Sequence, residues 1–144
     1  MAANYAEAGI PNDARASRDA FAALVRDPAL GRAWIALVDE RAAGYAVLTL
    51  GWSLEYGGRD AFVDDLYVVP LHRGRGLGGA ALAAVEATAR ELGVRALHLE
   101  VERGNNPAQE LYRRRGFADN ERRLLMKRLD ASAAHARAQQ SSDP

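Results

Sequence analysis

Cysteine is absent from the 144 residues. No disulfide framework, thiolate nucleophile or zinc–thiolate site can therefore be built from this chain. Net charge is missing too, because 19 basic residues balance 19 acidic ones. Bulk attraction thus gives no support to a nucleic acid or an anionic membrane surface as partner. Histidine is scarce, and His72, His98 and His135 share no metal-ligand spacing. No HExxH occurs, so no metal site is expected. No apolar run approaches the roughly 20 residues needed to cross a bilayer. The stretch from Met1 to Arg15 lacks the charged-then-apolar pattern of a signal peptide. The expectation is a soluble, cytoplasmic protein of one domain, large enough to bury a core.

The pattern along the chain predicts a mixed α/β fold. Residues 1–12 carry no period. A first helix, capped by Asn12, Asp13 or Ser17, presents Phe21, Leu24 and Val25 and ends at Asp27-Pro28. Two apolar strands follow, 33–38 and 44–50, joined by the link 39–43 as an antiparallel hairpin. Residues 51–60 read as a polar connection. A third strand, 61–69, ends at Pro70 and carries Asp64 and Asp65 within an apolar run. Adjacent strand positions face opposite ways, so at most one of the two carboxylates should enter a given cleft. After a glycine-rich turn, Leu82, Val85, Ala89 and Leu92 recur at helical spacing, and Gly93 suits a C-terminal cap. Residues 94–102 alternate as a strand. Asn106 and Pro107 open the next helix, with Asn106 as cap, Gln109 three residues on, and Gly116 at the end. A last strand or hairpin is expected over 117–129. The small, polar residues 130–144 read as a disordered tail. Hairpins followed by one strand–helix–strand crossover describe a mixed sheet, not a doubly wound parallel one.

The chemistry concentrates at Arg73-Gly74-Arg75-Gly76-Leu77-Gly78-Gly79. Such a turn, at the positive end of a helix, offers backbone N–H groups to a phosphate with no side chain in the way. A mononucleotide loop would need GxxxxGK[ST], and no lysine follows these glycines. The dinucleotide pattern GxGxxG is present as Gly74, Gly76 and Gly79, with Glu100 downstream as an acidic partner. Its context is wrong, because three strands precede the turn and only one crossover remains. A turn with no ligand would not need four glycines in six positions. The third pattern, Arg-x-x-Gly-x-Gly, is matched by Arg73, Gly76 and Gly78.

With this pattern the chain resembles the GCN5-related N-acetyltransferase family over about residues 17–129. Four ordered features carry the resemblance. They are the strand 64–70, the turn 73–79 with its helix, the strand 97–101, and the segment 105–112 followed by Arg115-Gly116-Phe117. Within the family, the stretch from Gly58-Arg59-Asp60 into Val63–Val68 is most like the diamine and polyamine acetyltransferases.

The resemblance implies a largely antiparallel sheet with a strand–helix–strand cofactor crossover, and acetyl-CoA as cosubstrate. By that likeness the backbone of Leu66, Tyr67 and Val68 would pair with the pantetheine arm. The amides of Gly74, Arg75, Gly76, Leu77, Gly78 and Gly79 would hold the pyrophosphate, with charge added by Arg73 and Arg75. Asn105 and Ala108 would contact the other side of the cofactor. The implied reaction is direct attack of an amine of a small molecule, such as a polyamine, on the thioester. Asp64 would be the base, with Asp65 and Glu100 as substitutes, and Tyr112 the acid for the leaving thiolate. His98 would flank the cofactor strand, while Glu55, Tyr56 and Asp60 belong to a solvated loop. Sheets of this family pair edges or exchange terminal strands, which implies a homodimer. The family usually begins with a strand and two helices, whereas only about 28 residues precede what would be its second strand here, and the first strand is absent or irregular. That departure keeps a non-catalytic acyl-CoA-binding module open as the alternative, ahead of a nicotinamide-linked enzyme.

Overall fold

The computed structural model describes Ala6, residues 13–127 and Leu129. The irregular stretch expected before residue 13, Ala6 apart, and the tail 130–144 lie outside the described residues.

Helix α1 (Ala14–Arg26) is capped by Asp13, whose carboxylate accepts from the N–H groups of Arg15 and Ala16 at 2.9 and 3.2 Å. It lies against the first strand. Strands β1 (Gly31–Val38) and β2 (Arg41–Ser53) form a hairpin on a two-residue turn. Both turn residues, Asp39 and Glu40, have positive φ. Such a turn matches the twist of the flanking strands, so the connection is shorter than the five-residue link predicted. Strand β2 likewise runs on to Ser53, and β3 (Gly58–Val68) begins early. Only residues 54–57 connect them.

A single turn of 3-10 helix (Pro70–His72) leads to the glycine-rich turn and α2 (Leu77–Glu91). Strand β4 (Ala96–Leu99) then pairs parallel to β3, and α3 (Asn106–Arg114) follows. The sheet order is β1-β2-β3-β4, antiparallel but for the last pair. This is the mixed sheet with one crossover that the sequence pattern predicts.

The core lies between the sheet and α2. Ala46, Leu48, Ala61, Val63, Leu82, Val85 and Ala89 form one buried cluster. Trp34, Leu66, Leu97, Leu111 and Phe117 pack around it. Leu48, Leu82 and Val85 are fully buried, each worth roughly 1.5–3 kcal/mol of hydrophobic transfer. The helical spacing of Leu82, Val85 and Ala89 thus becomes the seam that seats α2 on β2 and β3.

Two expected strands differ in the structure. The stretch 94–102 is a strand only at 96–99, where β3 supplies a partner. The strand expected over 117–129 does not form among the described residues. Leu124, Leu125, Met126 and Leu129 stay exposed there. Apolar alternation alone does not make a strand, because a strand needs a ladder partner.

Candidate active site

The site begins with a one-residue irregularity in β3. The register with β2 steps from Val47–Asp65 to Leu48–Val63, leaving Asp64 without a partner. An extra residue of this kind is a β-bulge, which bends its strand and re-aims the side chains beyond it. Val63 and Leu66, three residues apart, both reach the core as a result. Strict alternation would have sent Asp65 there instead. Asp65 is buried opposite Val47, and Asp64 is exposed. Protein crowding on one side of Asp64 still raises its carboxyl above the ordinary aspartate value.

Strand β4 parts from β3 at the same place. Their pairing covers Asp60–Val63 against Ala96–Leu99 and stops. Among the described residues, Asp64–Val68 therefore has β2 on one side and no strand on the other. Leu66, Tyr67 and Val68 lie on this open edge. The Tyr67 ring sits 5.9 Å from that of Tyr45 across the β2–β3 pair.

The open edge leads into the glycine-rich turn. Gly74 and Gly76 have φ of 72° and 84°, and Gly76 is the N-cap of α2 in the left-handed region. A side chain at either position would be strained, although a Cβ there would meet nothing within 4 Å. The space above them is open. The first helical hydrogen bond runs from the Ala80 N–H to the Gly76 carbonyl. The amides of Leu77, Gly78 and Gly79 precede that ladder and stand at the positive end of the helix. Gly78 and Gly79 have a different task, since a Cβ on them would lie 3.4 and 3.7 Å from the methyls of Leu111. Their lack of side chains lets α2 and α3 approach closely.

The two arginines of the turn part company. Arg75 is exposed between the glycines. Arg73 donates from Nε to the Val68 carbonyl at 2.8 Å and lies over the Tyr67 ring at 5.4 Å. It braces the end of β3 against the turn.

Helix α3 packs against the start of α2 through Leu111. Asn105, not Asn106, is its N-cap, and its Oδ1 accepts from the Ala108 N–H at 3.2 Å. Gln109 makes no capping box. Its side-chain amide instead donates to the Glu102 and Arg103 carbonyls at 3.0 and 2.9 Å, which ties the β4–α3 loop to the helix. Tyr112 is half-buried, and burial raises its phenol. The helix closes on Gly116, with φ of 90°. The Gly116 N–H bonds the Arg113 carbonyl and the Phe117 N–H bonds the Tyr112 carbonyl, both at 3.0 Å. This is a Schellman closure, and its accompanying apolar contact is the edge-on packing of Tyr112 and Phe117 at 5.9 Å.

His98 stands away from the open edge. Phe62 is its partner in the β3–β4 register, and its Nε2 lies 3.5 Å from the Asp60 carboxylate. Tyr56 packs on the same imidazole at 5.5 Å. Glu55 pairs with Arg122 at 2.8 Å, and that guanidinium holds its carboxyl below the usual value. The structure thus places 66–68 on the open edge of β3 and 74–79 at the start of α2, where Gly78 lies beside Val68 and Leu111 of α3, while His98, Glu55 and Asp60 are engaged beside the closed part of the sheet. Among the described residues no group of three or more candidate metal ligands occurs, and no helix is long and apolar enough to cross a membrane.

The sequence model of the Acetyltransferase (GNAT) family matches residues 3–117. The chain belongs to the GNAT family. An uncharacterized N-acetyltransferase of Mycobacterium tuberculosis is 36% identical over 109 residues, covering 75% of this chain and 65% of that protein. The streptothricin acetyltransferase of Streptomyces lavendulae is 45% identical over 56 residues, 39% of this chain and 30% of that protein. Among solved structures, an integron cassette protein from the mobile metagenome of Cole Harbour Salt Marsh is 44% identical. It has a TM-score of 0.78 and covers 88% of this chain and 78% of its own. This GNAT chain spans less than two thirds of the length of the curated relatives named here.

Two features of this GNAT domain escaped the sequence reading. One is the clip made by Gln109. The other is a two-pronged ion pair between Glu86 on α2 and Arg115 at the end of α3, at 3.0 and 2.7 Å. Neither has a sequence signature, since the partners of the second are 29 residues apart.

Proposed function

We propose that the chain is an acyl-CoA-dependent N-acetyltransferase that moves an acetyl group from acetyl-CoA to a primary amine of a small molecule. The observation that supports this most is the alignment of two backbone surfaces, a strand edge that no strand covers among the described residues and a helix N-terminus. The edge of Leu66–Val68 runs directly into the free amides of the α2 N-terminus. An elongated ligand with an amide-bearing arm and a diphosphate fits both, as an added strand and as an anion at a helix end. The open space above Gly74 and Gly76 admits the diphosphate.

Acetyl-CoA supplies the activated thioester, and the chain's residues do the rest. Leu66, Tyr67 and Val68 align the arm. Residues Gly74–Gly79 grip the phosphates, with Arg75 adding positive charge and Arg73 holding the strand end in place. Asn105 and Ala108, bonded to each other, form the far wall. A free alkyl amine titrates near pH ~10, so a base must take its proton. Asp64 is that base. Its raised carboxyl narrows the gap to the amine, and it stands where β3 and β4 part. A backbone N–H near Leu66 stabilises the charge that grows on the thioester oxygen. Tyr112, kept protonated by burial, has a proton to give the leaving thiolate.

Small amines are the acceptor class, and polyamines are the first to try. The streptothricin-directed relative supports an amine-bearing acceptor. The reading carries a cytoplasmic location. It also carries a homodimer, since among the described residues β1 and β4 each pair on one side only and such edges invite partners.

Calorimetry with acetyl-CoA, followed by thiol release across an amine panel, tests the proposal. Binding with transfer is expected. Absence of binding at millimolar cofactor would remove the proposal, and binding without transfer to any amine would leave an acyl-CoA-binding module. Tyr112→Phe should lower kcat by about a hundredfold, within the usual range for a general acid, while acetyl-CoA affinity stays near normal.

A further inference from the structure

The acid proposed above must stand at a fixed distance from the phosphate grip, yet the two lie on different helices. Two contacts join those helices, one on each side of Tyr112. Before it, Leu111 packs on Gly78 and Gly79. After it, Arg115 reaches back to Glu86, with Nε 3.0 Å from Oε1 and Nη2 2.7 Å from Oε2. Glu86 is mostly enclosed, its side chain 11% exposed. Arg90 approaches the same carboxylate at 3.4 Å from its own helix.

Arg115 is also the C-cap of α3. It therefore sits inside the Schellman closure that binds the Phe117 N–H to the Tyr112 carbonyl and sets the two rings edge to face. A forked guanidinium–carboxylate pair fixes orientation as well as distance. Holding Arg115 thus holds the last turn of α3, and with it the Tyr112 ring.

We propose that Glu86 is a positioning residue, which sets the Tyr112 phenol relative to the α2 N-terminus by clamping Arg115. This rests on the role of Tyr112 given above. Glu86 acts only through the clamp.

Glu86→Gln keeps the shape and removes the charge. It should lower kcat about tenfold and change acetyl-CoA affinity less than about twofold, since a misplaced acid costs rate rather than ground-state binding. Made in Tyr112→Phe, the same substitution should cost nothing further, because the two residues act as one unit. An equal loss in both backgrounds, or no loss in the first, would overturn the proposal. If Glu86→Gln fails to fold by circular dichroism, Arg115→Lys replaces it, since a single ammonium cannot make the fork, and the same two-background comparison decides. Full turnover in Tyr112→Phe with normal cofactor binding would remove the acid and the clamp together. Absence of acetyl-CoA binding in the unaltered chain would instead remove the transferase reading itself.

Discussion

Strand β3 has two halves with opposite fates. Residues 58–63 are flanked by β2 and, from Asp60, by β4, and Ala61 and Val63 lie in the core. Residues 64–68 keep only β2 and face an opening. One unpaired residue, Asp64, separates them. In the closed half every backbone group that a neighbour can reach supports the fold. In the open half no strand takes up the second edge among the described residues. The lesson is that a single inserted residue, together with the early end of β4, leaves half of a structural strand with an edge that no strand covers among the described residues, without a change of fold.

The contrast predicts that stability and cofactor binding can be damaged separately. The largest effect belongs beside the closed half. Leu48, fully buried opposite Val63, should cost about 2–5 kcal/mol of unfolding free energy as Leu48→Ala. Denaturant unfolding measures this, and the folded fraction should bind acetyl-CoA as before. A matching loss of affinity would mean that the two halves are not independent. Next comes the far end of the open half. Gly76→Val places a β-branched residue at φ of 84°, which costs about 1–3 kcal/mol in backbone strain. It also crowds the amides, so acetyl-CoA affinity should fall about a hundredfold, the loss of one or two charge-assisted hydrogen bonds. Calorimetry that found unchanged affinity would detach the turn from the cofactor.

The smallest effect on stability lies at the boundary residue. The raised carboxyl of Asp64 means that kcat/KM should fall on acidification through a limb above the ordinary value of 3.8. Asp64→Asn should abolish that limb along with most turnover. The stability effect has the opposite sense. A carboxyl whose folded value is raised contributes stability at pH below its unfolded value and loses it as pH rises through the folded value. Asp64→Asn should therefore raise Tm slightly near neutrality and leave it unchanged in acid. A pH–rate profile identical to the parent's would take the base role from Asp64.

Much of this was legible in the residues. The spacing of Leu82, Val85 and Ala89 located α2, and the glycines of 74–79 located the turn that opens it, because periodicity and φ preference are local properties. Asp27-Pro28 and Gly116 marked helix ends for the same reason. The bulge at Asp64 was hidden, since alternation reads the same until a partner strand sets the register. The choice of Asn105 over Asn106 as cap was hidden too, because both residues can cap and only the path of the loop, fastened by Gln109, selects one. Leu124–Met126 misled in the other direction. Their apolar pattern suits a strand, but no edge is supplied to them in the structure.

The sequence by itself determined the chemical vocabulary and the order of elements: no thiol, a mixed sheet with one crossover, and a glycine-rich turn before α2. These follow from side-chain chemistry and from periods of a few residues. The tertiary structure alone decided where β3 and β4 separate, which carboxylate lies at the gap, and how α3 is fastened to α2 by Glu86 and Arg115. Those outcomes depend on contacts between residues far apart in the chain, and no local preference encodes the distance between them.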